Sequence, residues 1–138
     1  MKSIEIGKSA VVASQAALGV MRMDALDADA AAEVVRTAAE HGVNFFDTAD
    51  IYGFNVNHDH ASSRVLGRAW KDAGLKREDI FLETKIWPAF YEQADAVEKT
   101  LERLDTDYID LLLIHQPFND YYGTYRAMEE ACRAGKTR

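Results

Sequence analysis

Cysteine, proline and glycine are scarce, at one, two and eight in 138 residues. A lone Cys132 excludes an internal disulfide and favours a reducing, cytoplasmic setting. Pro88 and Pro117 each follow a strand-like segment, and no Pro/Gly/Ser-rich linker or low-complexity tract divides the chain. A single domain over residues 1–138 is therefore expected. Long apolar runs are missing as well. The run Leu111–Ile114 falls far short of the ~20 residues a spanning helix requires. Glu5 and Lys8 interrupt the opening MKSIEIGK, so neither a membrane span nor a signal-peptide core is expected. Basic charge is also in deficit, with 16 Lys plus Arg against 23 Asp plus Glu and a net charge of −7. Without a basic cluster, nucleic acid and anionic lipid are poor partners. What is abundant is apolar material, 48% of the residues. That is enough for a core and excludes a disordered tail or a disulfide-stapled mini-protein.

The apolar residues fall into a regular alternation of periods. Ile4–Ile6 and Val11–Ala13 predict a short hairpin across Gly7-Lys8-Ser9, and Ala16–Val20 a weak strand. Asp27 or Asp29 caps a helix with Ala31, Val34, Val35, Ala38 and Ala39 on one face, stopped at Gly42. Val43–Phe46 reads as a buried strand, followed by a polar loop from Asp47 to about Ala61. Ser62 or Ser63 is expected to cap a second helix bearing Val65, Leu66, Ala69, Trp70 and Ala73, with Gly74 at its end. Ile80–Lys85 is the next strand, and Ala94, Val97, Leu101 and Leu104 form the stripe of a third helix. Tyr108–Ile114 is the strongest strand, apolar on both faces as a covered parallel strand requires. A fourth helix is expected from about Thr124 to Ala134, with Tyr125, Met128 and Cys132 inward.

This βαβαβαβα order predicts an α/β protein with a parallel sheet. An open doubly wound sheet and a (β/α) barrel both fit it. The glycine-rich fingerprint of open nucleotide-binding sheets is absent. Gly135-Lys136-Thr137 looks like the tail of a phosphate loop, but it follows a helix and has Glu130 where a glycine is required.

In parallel barrels, reactive side chains project from the C-terminal ends of strands. Those ends carry Asp47, with Tyr52 five residues on, then Lys85, then His115. Together they make a proton-transfer device. A phenol, with a pKa near 10 in isolation, is a reluctant acid at neutral pH. A neighbouring ammonium stabilises the charge left when its proton departs, and a carboxylate holds that ammonium. A histidine can orient a substrate oxygen. Each residue alone has a structural explanation: Asp47 a loop brace, Tyr52 a rim aromatic, His115 a satisfied core histidine. Their recurrence at one end of successive strands favours the chemical reading.

The segments GVNFFDTADIYG (42–53), FLETKIW (81–87) and YIDLLLIHQP (108–117) resemble the aldo-keto reductase family. That resemblance implies a parallel (β/α)8 TIM-barrel fold, here its first four βα units preceded by a short N-terminal β-hairpin. It implies NADPH-dependent reduction of aldehydes or ketones. By position, Asp47, Tyr52, Lys85 and His115 match the family's catalytic tetrad, with Tyr52 as proton donor. Gly19, Val20 and Met21 match the segment beside the nicotinamide, and Asp47 would reach its ribose. Two departures stand out. Ser62-Ser63 replaces the usual Ser-Glu pair, and the loop Phe54–Ala61 is longer and more polar. A whole barrel needs about 250 residues, so the chain is expected to be the N-terminal half of one. The family's main cofactor cradle lies in the other half. Such a half leaves sheet edges and an inner face open, and self-association is expected.

Other readings compete. A non-catalytic half-barrel that binds a partner is favoured by the length alone. A metal-dependent hydrolase would draw on His58-Asp59-His60 with Asp47 and His115, although that motif lies mid-loop. A Schiff-base aldolase would use Lys85, against which Asp47 is expected to keep the amine charged.

Overall fold

The N-terminal segment pairs as predicted. Strands β1 (Ser3–Glu5) and β2 (Val12–Ser14) are antiparallel, with Ile4 opposite Ala13. Ser14 then ties the hairpin to the body. Its N–H donates to Asn44 Oδ1 at 2.6 Å, and its Oγ accepts the N–H groups of Asn44 and Phe45. These coordinates are a computed structural model that describes residues 1–53, 60–87 and 95–138.

Four parallel strands follow in the order β3 (Ala17–Gly19), β4 (Phe45–Asp47), β5 (Phe81–Ile86) and β6 (Leu111–Ile114). Helices α1 (Ala28–Glu40), α2 (Ala61–Asp72) and α3 (Ala96–Leu104) connect them, and α4 (Tyr121–Arg133) follows β6. Side chains alternate across a strand. Phe46, Leu82, Thr84, Ile86 and Leu112 are buried in the helix-covered layer with Val35, Leu66, Trp70 and Leu104. The other face carries Phe45 and Phe81, which are register partners with ring centroids 4.6 Å apart. It continues with Asp47, Glu83 and Lys85, then Leu111 and Leu113. This is the α/β architecture of a (β/α) barrel's first four units, and it settles the choice against an open doubly wound sheet.

Helix packing is close. A Cβ on Gly67 would stand 2.5 Å from the Arg103 carbonyl oxygen, so α2 and α3 touch backbone to backbone there. Trp70 closes the seam by donating its indole N–H to the Leu104 carbonyl at 3.2 Å. At the start of α1, Asp27 is the cap, accepting the Ala30 N–H at 2.8 Å.

Four local expectations are revised. His60, in a left-handed conformation at φ 53°, precedes α2, so Ser62 and Ser63 lie inside the helix and not at its cap. Both are buried: Ser62 Oγ donates to the Met21 carbonyl and Ser63 Oγ to that of Ala49. Strand β6 starts at Leu111, not Tyr108, because the preceding backbone is engaged elsewhere. The Tyr108 carbonyl accepts from Arg77, and Ile109 forms an isolated parallel bridge with Thr137. The buried seam of α4 is Thr124 and Ala131 with Met128 half-buried, whereas Tyr125 and Cys132 are exposed. Val34 is 38% exposed, so α1 buries Ala31 and Val35 instead. Ala94, of the expected third-helix stripe, lies outside the described residues. Among the described residues, no helix is long and apolar enough to cross a membrane.

Candidate active site

The C-terminal ends of the four strands converge on one mouth. Gly19 ends β3 and Asp47 ends β4, and these two are register partners. Lys85 stands one residue before the end of β5, and His115 directly follows β6. Tyr52 sits in a turn five residues beyond Asp47. That turn closes at Gly53, whose φ is +68° and where a Cβ would meet the Ser62 nitrogen at 2.7 Å. Only glycine fits both demands.

The Lys85 ammonium is bonded to Asp47 Oδ1, donates to the Thr48 carbonyl at 2.8 Å, and lies 3.4 Å from Glu83 Oε1. It is also 5.5 Å from the centroid of the Tyr52 ring. Tyr52 meets the His115 ring edge-on at 5.9 Å, and Trp87 meets His115 edge-on at 5.1 Å. A pocket of about 470 Å³ opens onto this group, lined by Met21, Ile51, Tyr52, Trp87 and His115 among others. The predicted quartet is therefore assembled around one ammonium. Of the predicted nicotinamide segment, Gly19 and Met21 reach the mouth, while Val20 is buried in the core.

Burial pushes the His115 imidazole below its ordinary pKa, the Lys85 charge pushes it the same way, and Asp47 opposes both. The lowered value favours the neutral imidazole. Its Nδ1 is buried without a hydrogen-bond partner among the described residues. Two acidic groups were not anticipated. Glu83 is raised above its ordinary value by burial, with Lys85 counteracting and Asp47 reinforcing. Asp50 is raised to about 6, again chiefly by burial, with the Trp87 N–H and Arg103 pulling it down. Both of its oxygens lie 2.9 Å from the Trp87 nitrogen, and its own N–H donates to the Lys85 carbonyl. Asp50 thus ties the Tyr52 turn to the end of β5. In sequence, Glu83 lies two residues from Lys85 and Asp50 lies between Asp47 and Tyr52, but neither position by itself marks a buried acid.

The arrangement can bind a small polar group against an apolar wall and pass a proton to it from a phenol whose neighbour is a cation. Of the residues the hydrolase reading would draw on, His60 Nδ1 is engaged with the Asp50 carbonyl, and His58 and Asp59 lie outside the described residues. Much of the loop 54–61 lies outside them too.

Comparison with known proteins agrees with the fold. The sequence model of the aldo/keto reductase family matches residues 16–138. Glyoxal reductase from Bacillus subtilis is 36% identical over 125 residues, covering 88% of this chain and 42% of that protein. The holo form of an aldo-keto reductase from Bacillus halodurans superposes with a TM-score of 0.81 at 30% identity, covering 100% of this chain and 48% of the other. An aldo/keto reductase from Klebsiella pneumoniae, in complex with NADP and acetate, gives 0.75 at 30% identity, covering 88% and 42%. The chain spans about half the length of the proteins it matches. The family model matched over residues 16–138 and the shared parallel-strand fold place the chain in the aldo/keto reductase family.

Proposed function

We propose that residues 1–138 form the N-terminal half of a (β/α)8 barrel that reduces aldehydes or ketones to alcohols with NADPH, Tyr52 being the proton donor. The observation that carries this reading is the Lys85 ammonium, held by Asp47 and set 5.5 Å from the Tyr52 ring at the edge of the pocket. The residues present suit the nicotinamide end of the cofactor. Gly19 bears no side chain beside Asp47, and nothing lies within 4 Å of where its Cβ would stand. A flat ring would approach there, with Met21 beside it, and the Asp47 carboxylate would hold a ribose hydroxyl. The chemistry supplied by a reduced nicotinamide, when bound, is hydride for the carbonyl carbon. The NADP in the Klebsiella pneumoniae structure supports the choice of NADPH.

The chain's own side chains do the rest. The neutral His115 imidazole binds and orients the substrate oxygen. The Tyr52 hydroxyl gives that oxygen its proton as negative charge develops on it. Lys85 stabilises the charge left on the phenol, and Asp47 keeps the ammonium in place. Trp87, Ile51 and Met21 line an apolar wall that limits water and presses the carbonyl toward the phenol. A positioned acid of this kind contributes about 10²–10⁴-fold in rate. Cys132 is the single cysteine among these 138 residues, which supports a cytoplasmic setting.

The test is NADPH consumption with a small aldehyde or dicarbonyl, alongside a nicotinamide-fluorescence titration. Tyr52→Phe should lower kcat by about 10²–10⁴-fold and leave cofactor affinity nearly unchanged. Wild-type rates in that variant would overturn the role of Tyr52. No NADPH binding by the unsubstituted protein would replace this reading with the partner-binding one.

A further inference from the structure

Arg22 stands on the wall of the pocket, and the proposed reaction gives it no part. The loop after β3 holds its backbone firmly. Val20 and Met23, on either side, are buried in the core. The Val20 N–H donates to the Asp47 carbonyl at 2.9 Å, the Met23 N–H to the Val20 carbonyl at 3.0 Å, and Ser62 Oγ to the Met21 carbonyl at 3.0 Å. Met21 and Arg22 are left exposed, and both line the pocket that Tyr52, Trp87 and His115 share. Among the described residues, the Arg22 guanidinium enters no ion pair and no hydrogen bond. The other charge on this wall is Asp24, whose Oδ1 accepts from Ser62 Oγ at 3.3 Å. The Lys85 ammonium, in contrast, is already taken up by Asp47 and Glu83.

A guanidinium presents a planar fork of donors that matches a carboxylate, and it stays charged at any working pH. Arg22 follows β3 and His115 follows β6, the two outer strands of the four-stranded sheet. Three inter-strand steps of about 4.8 Å separate those strands. An anion held by Arg22 and a carbonyl held at Tyr52 and His115 therefore belong to opposite ends of one molecule, with Met21, Ile51 and Trp87 as the apolar wall between them. A pocket of about 470 Å³ suits a small molecule of that kind. We propose that Arg22 binds the anionic end of the substrate, so that the carbonyl compounds taken by this pocket carry a carboxylate at the far end of a short apolar chain. This rests on the reading of Tyr52 as proton donor and names the substrate class for it. Asp24 tempers the affinity, because its like charge shares the wall with the incoming carboxylate.

Two measurements test it. In the first, NADPH consumption is followed with 5-oxopentanoate and with pentanal, which differ in ending on a carboxylate or a methyl group. The ratio of their kcat/KM values should fall by about tenfold in Arg22→Gln, through KM. Arg22→Lys, which keeps the charge without the fork, should recover part of that loss. Asp24→Asn, which keeps an acceptor for Ser62, should raise the ratio by about threefold. A ratio that Arg22→Gln does not move overturns the proposal. So does an equal loss with both aldehydes together with a higher KM for NADPH, which assigns Arg22 to the cofactor. In the second, calorimetry follows the binding of pentanoate and of pentanamide. Pentanoate should lose about tenfold in affinity relative to pentanamide in Arg22→Gln, and a pentanoate affinity indifferent to Arg22 overturns the proposal. Pentanoate binding that Arg22→Gln weakens, in a protein that turns over neither aldehyde, sustains the subsite and removes the reductase reading. Turnover that Tyr52→Phe abolishes, with an aldehyde ratio that Arg22→Gln leaves in place, does the reverse.

Discussion

Asp50 is 2% exposed, and its carboxylate relies on the backbone N–H groups of Trp87 and Ile51 together with the charge of Arg103. Burial raises it from 3.8 to about 6. At 1.36 kcal/mol per pKa unit, the ionised form costs the fold about 3 kcal/mol relative to the protonated one. Because the folded value lies above the unfolded one, this contribution is fully present below about pH 4 and is lost as pH rises through 6. Asp50→Asn keeps an acceptor for the Trp87 N–H without the charge. Its stability relative to the unsubstituted chain should therefore rise between pH 4 and 6 and level off above. Thermal or urea denaturation of both proteins across that range checks this, and a difference independent of pH refutes it. In sequence, Asp50 resembled any polar loop residue, because nothing local reveals that the Tyr52 turn folds inward over it.

Among the elements, the N-terminal ends of β5 and β6 are held by an ion cluster. Asp110, whose side chain is 1% exposed, accepts from Arg77 at 2.6 Å, Arg138 at 2.9 Å and the Leu82 N–H at 2.9 Å. Arg77 also donates to Thr106 Oγ1 and to the Ile80 and Tyr108 carbonyls, and stacks 3.8 Å from the Tyr108 ring centroid. Asp110→Ala strips the half-buried Arg77 guanidinium of its counter-ion and should cost about 3 kcal/mol. A urea midpoint that scarcely moves would show the cluster to be dispensable. This same cluster explains why β6 is shorter than its apolar pattern suggests: the backbone at Tyr108 serves Arg77 instead of the sheet. Periodicity did reveal the four strands, the four helices and their order, since each rests on a local alternation of apolar residues. It failed where long-range partners decide, as at His60, whose left-handed backbone replaces a serine cap. It failed again on α4, where neighbouring apolar residues offered two seams one residue apart. The quartet at the mouth was legible because each member follows or ends a strand. Glu83 was not, because its meaning depends on Asp47 one strand away.

At the scale of residues 1–138, the sheet face that no described helix covers is expected to govern association in solution. Phe45, Leu111 and Leu113 are half-buried there, and β6 is bridged on its far side at Ile109. An uncovered sheet face and a partly paired edge favour association. The purified chain should show a weight-average mass by light scattering that climbs with concentration. A constant monomer mass would mean that the inner face is adequately solvated. Sheet register has a different consequence. Asp47 sits opposite Glu83, and a slip of one residue between β4 and β5 would turn Asp47 toward the helices and Phe46 toward the mouth. Misalignment would thus forfeit the ion pair outright, with no graded loss, so an intact Asp47–Lys85 bond certifies that the chain has threaded correctly.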